Sequence, residues 1–240
     1  MISCTQSSPG RASGTSGISL DRALNFSRGA SGDTVAAVRI QEAQRLWRSE
    51  TLYLNTASYG LPPTPAWDAL QAVLADWRGG RTSWEGWGDA TENARASFAR
   101  LVGVPTDWVA IGANTSSMVG LMAASLPDGA RVVSAEREFT SLLWPFLAQG
   151  RDIEVECVPV AEVANSVDER TDVVAVSIVQ SSTGELVDLD SVIEAAAAYD
   201  ARVVVDATQA CGWLPIDAPA STCWPAARTS GSAPRAERPS

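Results

Sequence analysis

From Thr51 to Asp217 the apolar positions switch between two rhythms, one of period near 3.6 and one of short continuous runs. Residues 66–78 (AWDALQAVLADWR) set Trp67, Leu70, Val73, Leu74 and Trp77 on one helical stripe. Residues 90–102 repeat the helical rhythm, with Phe98, Leu101 and Val102 as apolar anchors. A short apolar run at Trp108–Ile111 leads into Gly112-Ala113-Asn114-Thr115-Ser116-Ser117, which opens a helix through Leu126. Short strands read at Arg131–Ser134, Ile153–Val158, Val173–Val179 and Arg202–Val205. Between the last two lies DLDSVIEAAAAYD (188–200), an Asp-capped, Ala-rich helix. Apolar strands separated by helices imply burial on both strand faces. The expected fold class is α/β, a mostly parallel sheet with helices on both faces.

Both ends of the chain differ from this middle. Residues 1–38 are Ser/Gly-rich without periodicity and read as an extension that builds no core. Residues 219–240 look similar, which leaves 39–218 as the folding domain. With 45% apolar residues the chain has enough material for a substantial core. A net charge of −10 argues against nucleic acid and anionic membrane as partners, since both favour a basic face. No apolar run approaches the roughly 18 residues of a membrane span. Cys4, Cys157, Cys211 and Cys223 are scattered without a C-x-x-C pair, so neither a metal site nor a disulfide framework is indicated. A reducing cytoplasm is the expected setting.

In open α/β sheets ligands bind at the carboxyl ends of strands, and three such ends are chemically loaded here. Asn114, Thr115 and Ser116 bring hydroxyls and amides to a helix start, which suits either a phosphate or an ordinary N-cap. Asp206 directly follows a run of valines. A carboxylate there either caps the next turn or holds a cationic ring nitrogen. Phe139, in Ser134–Ser141 ahead of an aromatic-rich helix, is either core or a stacking platform for a ring.

Taken together, these segments resemble the class V aminotransferase family of fold-type I pyridoxal-phosphate enzymes, which includes cysteine desulfurases, kynureninase and isopenicillin-N epimerase. YLNTASYGLPPTP (53–65) resembles the family's opening strand and turn, GANTSS (112–117) its phosphate turn, and EFTSLLWPF (138–146) its aromatic-bearing loop. DATQACGWLPID (206–217) resembles the strand that holds the pyridine ring and is the most specific of the four. The likeness runs from about Thr51 to Ala218 and implies an incomplete large domain. It also implies pyridoxal 5′-phosphate as cofactor, an amino-acid-like small-molecule substrate, and a homodimer for the full-length enzyme. Asn114 and Thr115 would then bind the phosphate and Phe139 would stack on the ring. Asp206 would pair with the pyridine nitrogen and Gln209 would bond the phenolic oxygen. Ser181, in QSSTG, falls where some members carry asparagine.

One family residue has no counterpart. All 18 basic residues are arginine, and the chain contains neither lysine nor histidine. A lysine Schiff base, a histidine general base and a His-ligated metal are thereby excluded. No catalytic residue is assigned, and covalent cofactor attachment through lysine is not possible. A natural lysine-less relative, a noncatalytic binding module derived from the fold, is one reading. A change of reading frame near Ala218 is the other. Codons permitted for 219–240, read from the third base of the Pro219 codon, can yield RFDVLACGAYKWLRAPRGAAF. That output resembles the family's R-F-D…Y-K-W-L…P-R-G segment, with the lysine codon straddling Thr229 and Ser230.

Overall fold

The computed structural model describes residues 40–56, 58–216 and 222–223. The expected extension, 1–38, and all of the expected tail except 222–223 lie outside the described residues. The described residues divide into two compact units, with the boundary between Ala94 and Arg95.

The larger unit is built on parallel strands: β1 (Arg131–Ala135), β2 (Glu154–Val158), β3 (Thr171–Ser177), β4 (Arg202–Asp206) and the two-residue β5 (Thr222–Cys223). Their order is β2-β1-β3-β4-β5, and every pair is parallel. The valine runs explain this arrangement, because β-branched side chains pack well on a pleat buried on both faces. Val132, Val173, Ala175 and Val204 point to one face. There they meet Val119 and Ala123 of helix α4 (Thr115–Ala124) and Leu142 and Phe146 of α5 (Thr140–Leu147). Val133, Ala135, Val174, Val176, Val203 and Val205 point to the other face. Against them pack Phe98 and Val102 of α3 (Trp84–Val102) and Val192 and Ala196 of α6 (Leu189–Ala198). Each fully buried valine contributes about 1.5–3 kcal/mol. The expected α/β class, with helices on both faces, is the one observed.

Helix α6 starts as the sequence implies: Asp188 accepts from the Ser191 amide at 3.2 Å and from the Ser191 hydroxyl at 2.8 Å. Two local expectations change. The run Trp108–Ile111 does not enter the sheet, because Thr106–Trp108 is a 3-10 turn, and Trp108 and Ile111 are exposed while Val109 is buried. Leu101 is exposed as well. In α3 the inward residues are Phe98, Ala99 and Val102, and Ala99 shifts the buried stripe away from Leu101.

The smaller unit holds α1 (Ile40–Gln44), α2 (Thr64–Arg78) and the first half of α3. Helix α2 has proline in its first turn and stops at Gly79-Gly80, with Gly80 at φ 69°. Its expected stripe of Trp67, Leu70, Val73, Leu74 and Trp77 is present, yet the helix buries none of its residues.

Candidate functional site at the strand ends

The strand order reverses between β1 and β3. The chain leaves β1 through α5 toward β2, then starts again at β3 on the opposite side of β1 and continues through α6 to β4. Helices α5 and α6 cover opposite faces, so the carboxyl ends of β1 and β3 lie at the switch point where ligands of open α/β sheets bind. The loops after these two strands, together with the end of β4, carry Phe139, Ser181, Asp206 and Gln209.

Asp206 is the last residue of β4, is 4% exposed and pairs in register with Ser177 of β3. Its carboxylate accepts from the Thr208 amide at 2.8 Å. Among the described residues it has no cationic partner. Burial pushes its pKa above the usual aspartate value. The Thr208 hydroxyl and amide pull it partly back, and the nearby Glu138 charge raises it further. Such a group is suited to a visiting N–H⁺ donor, which would supply the charge that the fold withholds.

Glu138, which the sequence reading did not select, lies beside Asp206 and is 7% exposed. Its Oε2 accepts from the Ser177 amide and from Gln180 Nε2, both at 2.9 Å. Its Oε1 accepts from the Ser177 hydroxyl at 2.5 Å and from the Phe139 amide at 2.8 Å. The Oε1 of Gln180 is buried without a partner. The signal that singled out Asp206, an acidic residue just beyond a buried strand, also applied to Glu138.

Phe139 is half exposed at the N-cap of α5, so it is not the core residue that sequence alone favoured. Asn114 occupies the N-cap of α4, and its side chain accepts from the Ser117 amide at 2.9 Å. The ordinary capping role is therefore present, and the amides of Thr115 and Ser116 lie in the same open first turn. Helix α4 precedes β1 and packs on the sheet through Val119 and Ala123. Ser181 is exposed in the turn after β3, where Gly184 donates to Gln180 O and Gln180 donates to Glu185 O. Gln209 is half buried in the turn after β4, and its carbonyl accepts from Trp213 Nε1.

These residues fit the noncovalent half of a pyridoxal-phosphate site: an anion-binding turn, an available aromatic face and a buried carboxylate lacking a cation. They do not fit the covalent half, since lysine is absent from all 240 residues. No cluster of three or more His, Cys, Asp or Glu side chains able to hold a metal occurs among the described residues. No described helix is long and apolar enough to cross a membrane.

Residues 53–224 match the model of the aminotransferase class-V family. A curated relative, a probable cysteine desulfurase of Mycolicibacterium paratuberculosis, is 26% identical over 145 residues, which are 54% of this chain and 21% of that protein. Among solved structures, the cysteine desulfurase CsdA of Escherichia coli aligns with a TM-score of 0.58 at 22% identity, covering 68% of this chain and 46% of that one. The cystine C-S lyase C-DES, in complex with its reaction product cysteine persulfide, aligns with a TM-score of 0.62 at 21% identity, covering 69% and 49%. A mutant of C-DES with glycine covalently linked to its PLP cofactor aligns equally well. At these identities the likeness to solved structures shows the fold. The chain spans about a fifth of that curated relative and about half of each solved one.

Proposed function

We propose, because this chain belongs to the class-V aminotransferase family, that its strand ends form the cofactor-holding half of a pyridoxal-phosphate enzyme acting on an amino-acid-like substrate. The observation that carries this reading is Asp206, a buried carboxylate at a strand carboxyl end with no cation among the described residues. When bound, pyridoxal phosphate supplies an electron sink conjugated to the substrate amine. Asp206 holds a proton on the ring nitrogen and so keeps that sink effective. The first turn of α4, with Asn114 and Thr115, takes the phosphate. Phe139 covers one ring face, Gln209 bonds the phenolic oxygen, and Ser181 supplies a hydroxyl from the turn after β3.

The chain as written stops short of turnover. Without lysine there is no covalent anchor for the cofactor and no lysine to move a proton at the substrate Cα. We assign residues 39–218 to the N-terminal part of the cofactor domain and 219–240 to a tail read out of frame. The shifted codons, which can restore a lysine at Thr229/Ser230, support this assignment. The nucleotide sequence across codons 210–240 tests it: an in-register lysine codon in the shifted frame is expected, and none there contradicts it. The missing lysine also favours a second reading, a noncatalytic module that binds the cofactor without reacting.

For the full-length enzyme we infer a homodimer in the cytoplasm with no nucleic-acid partner. The net charge of −10 supports the absence of a nucleic-acid partner. Borohydride reduction with pyridoxal phosphate, after blocking the α-amino group, is expected to leave no stoichiometric adduct. Pyridoxamine 5′-phosphate, which has no aldehyde, is expected to bind and to be displaced by pyridoxal phosphate. A stoichiometric reduced adduct, or no binding of either ligand, contradicts the reading.

A further inference from the structure

We propose that Glu138 is the positioning residue that fixes Phe139 beside Asp206, a role that rests on the cofactor reading above. Glu138 sits in the loop between β1 and α5 and reaches across to β3. Both carboxylate oxygens are fully used, each accepting two hydrogen bonds. No cation among the described residues balances the charge. Four directed donors hold it instead, so its position is set by hydrogen-bond geometry rather than by a mobile ion pair.

Those donors join the parts that the ring must meet. The Phe139 amide, 2.8 Å from Oε1, opens α5, and Phe139 offers no side-chain cap of its own. The Ser177 amide, 2.9 Å from Oε2, belongs to the residue paired in register with Asp206. In addition, the Ile178 amide donates to the Asp206 carbonyl at 3.0 Å. A single carboxylate therefore links the backbone of the stacking residue to the strand neighbour of the pyridine-binding one. The span from aromatic platform to Asp206 is then fixed before any ligand arrives.

The chemistry of Glu138→Gln makes the role testable. The substituted amide turns its NH₂ toward the Phe139 amide in one orientation and toward the Ser177 amide in the other. The Ser177 hydroxyl can rotate, and Gln180 can turn its unpartnered Oε1, to accept from that NH₂, but neither backbone amide can. One of the two backbone bonds through which Glu138 ties Phe139 to β3 is therefore broken. The closing experiment reads amide hydrogen exchange at Phe139 and Ser177 in the unliganded full chain, and the induced circular dichroism of bound pyridoxamine 5′-phosphate.

E138Q is expected to speed exchange about tenfold at Phe139 or at Ser177, the size of one lost hydrogen bond to a charged group. It should also reduce the induced dichroism at saturating ligand. Val192→Ala, which loosens the opposite face of the sheet, is expected to lower stability and leave both readouts at wild type. A merely structural Glu138 would behave in the same way as Val192→Ala. If E138Q fails to fold, the double variant Ser177→Ala with Gln180→Ala carries the test, with the same changes to a smaller extent. Unchanged exchange at both amides overturns the proposal, and so does unchanged dichroism in a variant that binds. Failure of the wild-type chain to bind defeats the cofactor reading instead, and the exchange measurement still decides whether Glu138 holds Phe139.

Discussion

Two aspartates next to the same sheet are driven in opposite directions. At the amino end of the strands, Asp168 is held below the usual aspartate pKa. The Arg170 amide is the main cause, opposed by partial burial and helped by the charges of Arg131 and Arg170 and by the Thr171 hydroxyl. At the carboxyl end, burial pushes Asp206 above it. The amino end is organised around Arg131, whose guanidinium is buried yet reaches Asp168 and Thr171 with Nη1, at 2.9 and 2.6 Å, and Glu156 with Nη2. The Arg131 amide also donates to Asp172 at 2.9 Å, which adds a second tie from β1 to β3. There, buried charge is paired with carboxylates inside the fold and joins three strands, although the Arg131 Nε is buried without a partner. At the other end, Asp206 and Glu138 have hydrogen bonds but no cation among the described residues. The contrast separates a charge that holds the sheet together from charges kept in place for a ligand.

Breaking the amino-end clamp should have the largest effect on the fold. Arg131→Met removes the shared donor of Asp168, Thr171 and Glu156, whose carboxylates are partly open to water, and is expected to cost about 2 kcal/mol in urea unfolding. Ligand affinity measured well below the unfolding midpoint should not change. Asp206→Asn should show the reverse. The side chain keeps its acceptor for the Thr208 amide, while the ring nitrogen loses its counter-charge. Affinity for pyridoxamine 5′-phosphate should fall roughly ten- to hundredfold. Because the folded pKa of Asp206 lies above 3.8, its favourable contribution is complete below pH 3.8 and is lost as pH rises through the folded value. At neutral pH the buried anion opposes folding, so the variant should be at least as stable as wild type. That advantage should vanish in acid.

Asn114→Ala removes the cap to Ser117 and is expected to cost about 1 kcal/mol of stability. It should weaken inorganic phosphate and pyridoxamine 5′-phosphate by similar factors, since both meet the same turn. The smallest effect falls on Asp168→Asn. Its lowered pKa gives stability that is present above pH 3.8 and lost as pH falls, so the variant should lose that small contribution at pH 7, show a shallower acid limb and converge on wild type in acid.

What could be read from sequence followed the range of the interactions. Local signals, namely the valine strands and the Asp188 cap of α6, needed only neighbouring residues and appear close to where they were expected. The stripe of α2 was also legible, but periodicity reports which residues share a face, not whether anything covers it. Leu101 failed for a related reason, because Ala99, a small residue, decides which way α3 turns. The position of Glu138 carried a local signal, but its role did not, because its partners Ser177 and Gln180 lie 39 and 42 residues away. Only the adjacency of β1 and β3 brings them together. For Asp206 the sequence supplied the position, and the structure added that its carboxylate is buried and lacks a cation among the described residues.

The central claim is that Asp206 keeps a proton on the ring nitrogen of a bound pyridine phosphate. The most direct test is nuclear magnetic resonance of pyridoxamine 5′-phosphate carrying an isotope-labelled ring nitrogen, bound to the wild-type chain and to Asp206→Asn. The nitrogen should report a protonated ring in the wild-type complex at a pH where the free ligand has lost that proton. In the variant it should report a neutral one. A neutral ring nitrogen in the wild-type complex, or the same protonation state in both proteins, would contradict the account.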